Sequence, residues 1–154
     1  PPRSTLFPYT TLFRSRIESE RDTRIRRLAG KVDRVLVDAP CSGLGTLRRN
    51  PDMKWRQTPA SVAELCAQQA AILAAAASLV KPGGRLVYAT CSLLEAENEV
   101  VVQAFLARHP EFSACSAQEV LARQEIAIDI GERLRLFPHR HGTDAFYAAV
   151  MERK

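Results

Sequence analysis

The residues best suited to chemistry are two cysteines, Cys41 and Cys91, fifty positions apart (91 minus 41) in near-identical surroundings. Each follows an apolar run and precedes a serine: Val35-Leu36-Val37-Asp38-Ala39-Pro40-Cys41-Ser42-Gly43 and Leu86-Val87-Tyr88-Ala89-Thr90-Cys91-Ser92. A cysteine at a strand end near a helix N-terminus can have its pKa lowered, and the resulting thiolate is a nucleophile near neutral pH. Asp38 ends the first apolar run, where a carboxylate costs free energy unless a polar group pairs with it. Open parallel sheets bind ligands beyond the carboxyl ends of their strands, so two such strands would aim both thiols and one carboxylate into a single crevice. The expected chemistry uses a thiolate. Cys66 and Cys115 lack this setting and read as ordinary buried cysteines.

The elements that must position these groups follow from the apolar pattern. Val32 to Asp38 reads as a strand, and its continuous apolar run predicts burial on both faces. A loop from Ala39 to about Gln57 carries Gly43, Gly45 and the basic-aromatic cluster Arg48, Arg49, Lys54, Trp55 and Arg56; connections of this length are commonly functional. Thr58 as N-cap with Pro59 at the first helical position opens an Ala-rich helix to about Val80, ended by Lys81-Pro82-Gly83-Gly84. Arg85 to Thr90 is the second strand. Glu95 to Arg108 is the second helix, acidic in its first turn and basic at its end, as the helix dipole favours. Beyond this βαβα series come a strand at Phe112 to Cys115, a short helix at Gln118 to Gln124, and a closing strand pair from Leu134 to Phe137 and Ala145 to Met151.

Composition narrows the class. At 154 residues, 46% hydrophobic and 25% charged, the chain fits one globular domain with an ordinary core. No apolar run approaches the roughly 20 residues a membrane span needs. Four widely spaced cysteines without a Cys-x-x-Cys pair weigh against a metal site, a disulfide scaffold and a thiol oxidoreductase, and they place the chain in a reducing cytoplasm. Residues 1–15, PPRSTLFPYTTLFRS, follow no structural period and lack a signal-peptide layout. That segment resembles the translation of a common sequencing adapter and is set aside as non-native. Removing its Arg3 and Arg14 takes the net charge from +5 to +3 (5 minus 2), which permits an anionic partner without demanding one.

Five motifs in order carry a family resemblance: Asp38-Ala39-Pro40-Cys41-Ser42-Gly43; Arg48 to Trp55; Lys81-Pro82-Gly83-Gly84; Tyr88-Ala89-Thr90-Cys91-Ser92 with Glu97-Asn98-Glu99; and His141-Gly142-Thr143-Asp144-Ala145-Phe146-Tyr147. Together they resemble the RsmB-type (Fmu/Sun) RNA cytosine-5 methyltransferases. The resemblance implies an α/β, Rossmann-like class I methyltransferase fold with S-adenosylmethionine as cofactor and RNA, small-subunit ribosomal RNA first, as partner. It assigns the attacking thiol to Cys91, product release to Cys41, and base activation to Asp38, which with Ala39 and Pro40 would also lie against the cofactor. Arg48, Arg49, Lys54, Trp55 and Arg56 could contact phosphates and stack on a base, although Trp55 could equally anchor the loop in the core. Gly43-Leu44-Gly45 lacks the spacing of a dinucleotide loop, and no Gly-rich loop precedes Val32. Residues 16–154 are therefore expected to form the C-terminal half of a catalytic domain, inactive by itself, with the Val32 strand left at an open sheet edge. The alternative is a noncatalytic RNA-binding module.

Overall fold

The two cysteine-bearing strands lie side by side. In the computed structural model, which describes residues 26–154, Val32–Asp38 forms β1 and Val80–Thr90 forms β2, paired in parallel. The segment 1–15 and residues 16–25 lie outside the described residues. Between the strands runs the Cys41 loop, which contains a short helix α1 (Met53–Arg56), followed by the long helix α2 (Pro59–Ala77). After β2 come a 3-10 turn at Glu95–Glu97, α3 (Glu99–Arg108), β3 (Phe112–Cys115), α4 (Ala117–Ala122), β4 (Leu134–Leu136), α5 (Pro138–His141) and β5 (Phe146–Arg153). The sheet order is β1-β2-β5-β3, with β4 also pairing β5, and β5 runs antiparallel to its neighbours.

Helix α2 starts where the sequence predicts. Thr58 Oγ1 accepts from Ser61 N, Ser61 Oγ accepts from Thr58 N, and Pro59 occupies the first turn, where its missing N–H costs nothing. Gln69, Leu73 and Ala77, spaced four apart, form the buried stripe, while Ala67, Ala71 and Ala74 face outward. The stripe packs against β1 and β2, joining a core that includes Val80, Leu86, Tyr88, Val102 and Met151. Contrary to the expectation from apolar runs, α2 is by length and composition apolar enough to cross a membrane, the one such helix among the described residues. Its outer face is mostly alanine, with Glu64 the one charged residue exposed on the helix, and Gln69 on its inner face is wholly buried.

Three further expectations are corrected. β1 is not buried on both faces: Val37 is buried, but Leu36 is 68% exposed and Asp38 is exposed, because α2 covers one face only. Among the described residues β1 is also the open edge of the sheet. Second, Lys81-Pro82-Gly83-Gly84 does not separate helix from strand. α2 ends at Ala77, Val80 already pairs with Val32, and residues 81–84 bulge opposite Asp33 before the ladder resumes at Arg34 and Arg85. Gly83 supplies the left-handed φ of 72° that this bulge requires. Third, the predicted helix from Glu95 is broken at Asn98, whose φ and ψ of −111° and −97° separate the 3-10 turn from α3. The closing strand pair forms as expected, with α5 inserted between its strands.

The one-sided cover of β1 gives a direct contrast. Leu36→Ser should change unfolding free energy by no more than ~0.5 kcal/mol. Leu86→Ala, in the wholly buried strand beside it, should cost about 2–5 kcal/mol. Urea titration followed by circular dichroism measures both.

Candidate active site

The parallel register sets Asp38 opposite Ala89, and Ala39 N donates to Ala89 O at 2.9 Å, extending the ladder past the end of β1. Both chains then leave the sheet on the same side. Cys41 Sγ and Cys91 Sγ meet at 3.5 Å, each half-buried, and either thiol can donate to the other. The structure thus brings together the two thiols that the sequence places fifty residues apart.

Their convergence is held by the residues that follow them. Ser42 and Ser92 are buried with their hydroxyls 3.1 Å apart, and both contact the carboxylate of Glu97, itself completely buried. Ser42 N donates to Glu97 Oε1 at 2.8 Å and Ser42 Oγ to Oε2 at 2.5 Å; Ser92 Oγ donates to Oε2; Gln69 Nε2, from α2, donates to Oε1 at 3.1 Å. Gln69 Nε2 also reaches Pro40 O at 2.9 Å. A buried carboxylate costs several kcal/mol unless its lone pairs are answered, and here four donors from three segments answer them. The break at Asn98 makes this geometry available, since Asn98 turns inward as well: its Nδ2 donates to Ser92 O at 3.0 Å, and Thr90 Oγ1 donates to its Oδ1 at 2.5 Å. Tyr88 Oη donates to Glu97 O at 2.6 Å, fixing the same turn from the sheet.

A third loop closes over the pair. Gly45 N donates to Cys91 O at 2.8 Å, and Ala145 N donates to Gly45 O at 3.0 Å. A Cβ on Gly45 would stand 2.5 Å from Ala145 O and 2.6 Å from Cys91 O, so only glycine fits between the Cys91 turn and the start of β5. Its place in the Cys41 loop is a close backbone approach.

The Cys41 thiol is held in its protonated form. Burial pushes the Cys41 thiol up to about 12, and the neighbouring Cys91 adds to the rise against backbone N–H groups that oppose it. At neutral pH Cys41 is a protonated donor. Burial, with Cys41 and Glu97 nearby, also raises the Tyr88 hydroxyl, which therefore stays a donor to the Glu97 carbonyl.

The remaining sequence-derived residues lie around this centre. Asp38 and Pro40 are exposed at the open end of β1, with Ala39 buried between them; the Asp38 carboxylate faces outward and does not need the internal partner that an apolar strand end suggests. Arg48, Arg49, Lys54, Trp55 and Arg56 are all exposed. Trp55 is 80% exposed, so it does not anchor the loop in the core, and Lys54 Nζ sits 4.8 Å from its ring centroid. Arg49 pairs with Asp144 at 3.0 Å and Arg56 with Asp52 at 2.6 Å, which orders the basic loop against the β5 approach and against itself. Residue chemistry alone does not single out Ser42, Ser92, Glu97 or Gln69. The available signal was the repeated serine after each cysteine, which marks a shared acceptor.

With two strand-end thiols, an exposed strand-end carboxylate and a basic loop in place, the match to known sequences is decisive: residues 14–152 fit the 16S rRNA methyltransferase RsmB/F family. The chain belongs to that family. It is 45% identical over 122 residues to the probable ribosomal RNA small subunit methyltransferase B of Synechocystis sp., covering 79% of this chain and 27% of the relative. The corresponding protein of Bacillus subtilis is 43% identical over 123 residues, with 79% and 28% covered. Among solved structures, PH0851 superposes with a TM-score of 0.73 at 38% identity, covering 81% of this chain and 27% of that one. NSun6 from Pyrococcus horikoshii, solved with SFG, gives 0.67 at 27% identity, covering 84% and 32%. The mixed sheet is thus the Rossmann-like fold of this RsmB/F family, and the chain spans a little over a quarter of the length of the curated relatives named here.

The clamp and the raised thiol each have a measurable consequence. Glu97→Ala leaves several buried donors without an acceptor and should cost at least ~3 kcal/mol in urea unfolding, at roughly 1–3 kcal/mol per orphaned group. Alkylation of Cys41 by iodoacetamide, followed by peptide mass mapping, should keep accelerating with pH past the ordinary thiol value of 9.0 toward about 12. Because the folded thiol holds its proton where the unfolded one loses it, the Cys41 contribution to stability is complete below pH 9.0 and is lost as pH rises toward about 12.

Proposed function

We propose that this chain carries the thiol side of the active site of an S-adenosylmethionine-dependent RNA cytosine-5 methyltransferase that acts on small-subunit ribosomal RNA in the cytoplasm. The supporting observation is the 3.5 Å approach of Cys41 and Cys91 from two adjacent strand ends, in a chain that belongs to a 16S rRNA methyltransferase family. Carbon 5 of cytosine is a poor nucleophile. In the proposed reaction the Cys91 thiolate adds to carbon 6, and the electron pair so displaced makes carbon 5 nucleophilic. Asp38, at the open end of β1, holds the base at nitrogen 3, where a proton or hydrogen bond draws electrons from the ring. Bound S-adenosylmethionine supplies a transferable methyl group. Asp38, Ala39 and Pro40 fit one wall of its site, since the exposed carboxylate can accept from an ammonium or hydroxyl group beside an uncovered strand end. A base then takes the carbon-5 proton, the ring double bond re-forms, and the carbon 6–sulfur bond breaks to release Cys91. Cys41, protonated at neutral pH and in hydrogen-bond reach of Cys91, is placed to return a proton to the departing sulfur, in keeping with a role in release.

The RNA is held, in this reading, by the loop from Arg48 to Arg56. Trp55 offers an uncovered aromatic face for base stacking, with Arg48, Arg49, Lys54 and Arg56 around it for phosphates.

In a full-length relative carrying this segment, Cys91→Ala should lower 5-methylcytosine formation by about 10³-fold or more. RNA containing 5-fluorocytidine, which cannot lose a proton from carbon 5, should form a stable covalent complex with the unmodified enzyme and none with Cys91→Ala. Cys41→Ala should instead accumulate a covalent complex with ordinary RNA. Methylation that survives Cys91→Ala but not Cys41→Ala would reverse the assigned roles. RNA binding without any fluorocytidine adduct would favour a noncatalytic RNA-binding module. Trp55→Ala should weaken RNA binding about 5-fold or more in a filter-binding assay, about 1 kcal/mol being the low end of a lost base stack.

A further inference from the structure

We propose that Cys41 and Cys91 form a closable dithiol, a modification site at which a low-molecular-weight disulfide such as oxidised glutathione joins the two sulfurs and takes both thiols out of use. Sequence spacing argues against a redox pair, because no Cys-x-x-Cys is present. Tertiary structure supplies the proximity instead. The sulfurs stand 3.5 Å apart and close to about 2.05 Å in a disulfide. The residues beside them are already tethered, by the Ser42 and Ser92 hydroxyls 3.1 Å apart and by Gly45 N on Cys91 O at 2.8 Å. Each thiol is half-buried, so one face remains open to a small reagent. Neither other cysteine shares this arrangement: Cys66 Sγ donates to Ala96 O at 3.4 Å, and Cys115 lies at the end of β3, across β5 from β2.

The chemistry is two thiol–disulfide exchanges. The Cys91 thiolate, its proton released to solvent, attacks one sulfur of glutathione disulfide; the S–S bond breaks, a mixed disulfide forms, and one glutathione leaves as a thiolate that takes up a proton. Cys41 then loses its proton and displaces the second glutathione from Cys91. Two protein thiols are oxidised to one disulfide, and one glutathione disulfide is reduced to two glutathiones. Burial favours neutral sulfur at Cys41, and the disulfide is neutral, so closing the pair adds no charge to the site. While closed, neither sulfur can add to a base or protonate a leaving group. The inference goes beyond the methyltransferase reading and needs neither RNA nor cofactor.

The test uses this chain in glutathione buffers of graded oxidation, quenched with iodoacetamide and mapped by peptide mass, with circular dichroism to confirm the native fold. The expected result is the joint loss of alkylation at Cys41 and Cys91, with a Cys41–Cys91 disulfide peptide, while Cys66 and Cys115 stay alkylated. Dithiothreitol should restore both thiols together. Cys41→Ser should convert the product to a lasting glutathione adduct on Cys91. In the natively folded chain, lasting glutathione adducts, two free thiols in fully oxidised buffer, or bonds chiefly to Cys66 or Cys115 would each overturn the proposal. Failure of the fluorocytidine adduct described above would leave this result untouched, and failure of disulfide closure would leave the methylation reading untouched.

Discussion

The arrangement around the thiols depends on one buried carboxylate. Glu97 has no solvent access, so every lone pair must be answered from within the protein, and the donors come from the two Cys-Ser turns and from α2. Neither turn can shift without leaving charge or donors unpaired. The spacing of Cys41 and Cys91 is therefore a consequence of how Ser42 and Ser92 are held. The same constraint explains the irregular chain after β2: a regular helix from Glu95 onward would not supply the Asn98 backbone that turns both the Glu97 carboxylate and the Asn98 amide toward the Cys91 turn. Local regularity gives way to a polar network that answers the Glu97 carboxylate, which in a low-dielectric interior outweighs a few helical hydrogen bonds, while Gln69 Oε1 stays without a partner.

This frame keeps the two thiols together and leaves Cys41 protonated. Cys41 sits where burial opposes charge, and it faces a thiol rather than a cation, so it persists as an acid. Gly45 brings the Cys41 loop onto the carbonyl of Cys91 with no room for a side chain, and Ala145 ties that loop to β5. Three loops from three strands thus converge at one end of the sheet, the end where open α/β sheets collect ligands. The surface beyond them changes character sharply, from a buried serine-glutamate cluster to a basic loop with an uncovered tryptophan.

Much of the fold was legible in order and type. The strand from Val32 to Asp38, the Thr58-Pro59 helix start and the closing strand pair all follow from apolar runs and capping chemistry, which act over a few residues. The departures share a cause. β1 reads as doubly buried because Val35, Leu36 and Val37 follow one another without a polar residue, yet Leu36 is exposed, since burial depends on which face another element covers. Lys81-Pro82-Gly83-Gly84 reads as a helix stop because proline and glycine break helices, whereas it is a bulge that keeps β2 in register with β1. Glu97 and Glu99 read as acidic residues favouring a helix N-terminus. Glu97 instead turns into the core, and Glu99 is held ionised: burial would raise it, but Tyr147, Arg133 and Arg135 more than offset that.

For the site, the sequence by itself determined which groups are available: two cysteines at strand ends, each followed by serine, a strand-end aspartate, and a basic loop with one tryptophan. These are local facts, set by residue type and by the period of neighbouring apolar residues. Only the tertiary structure decided that the thiols touch, that Ser42 and Ser92 share one carboxylate, that Gly45 is a packing glycine, and that Trp55 faces outward. Apart from the short link from Ser92 to Glu97, each of these joins residues 46 to 100 positions apart or turns on which face is covered. Such contacts depend on parallel strand register and on the cost of leaving a buried charge unpaired, and neither is expressed in any short stretch of sequence.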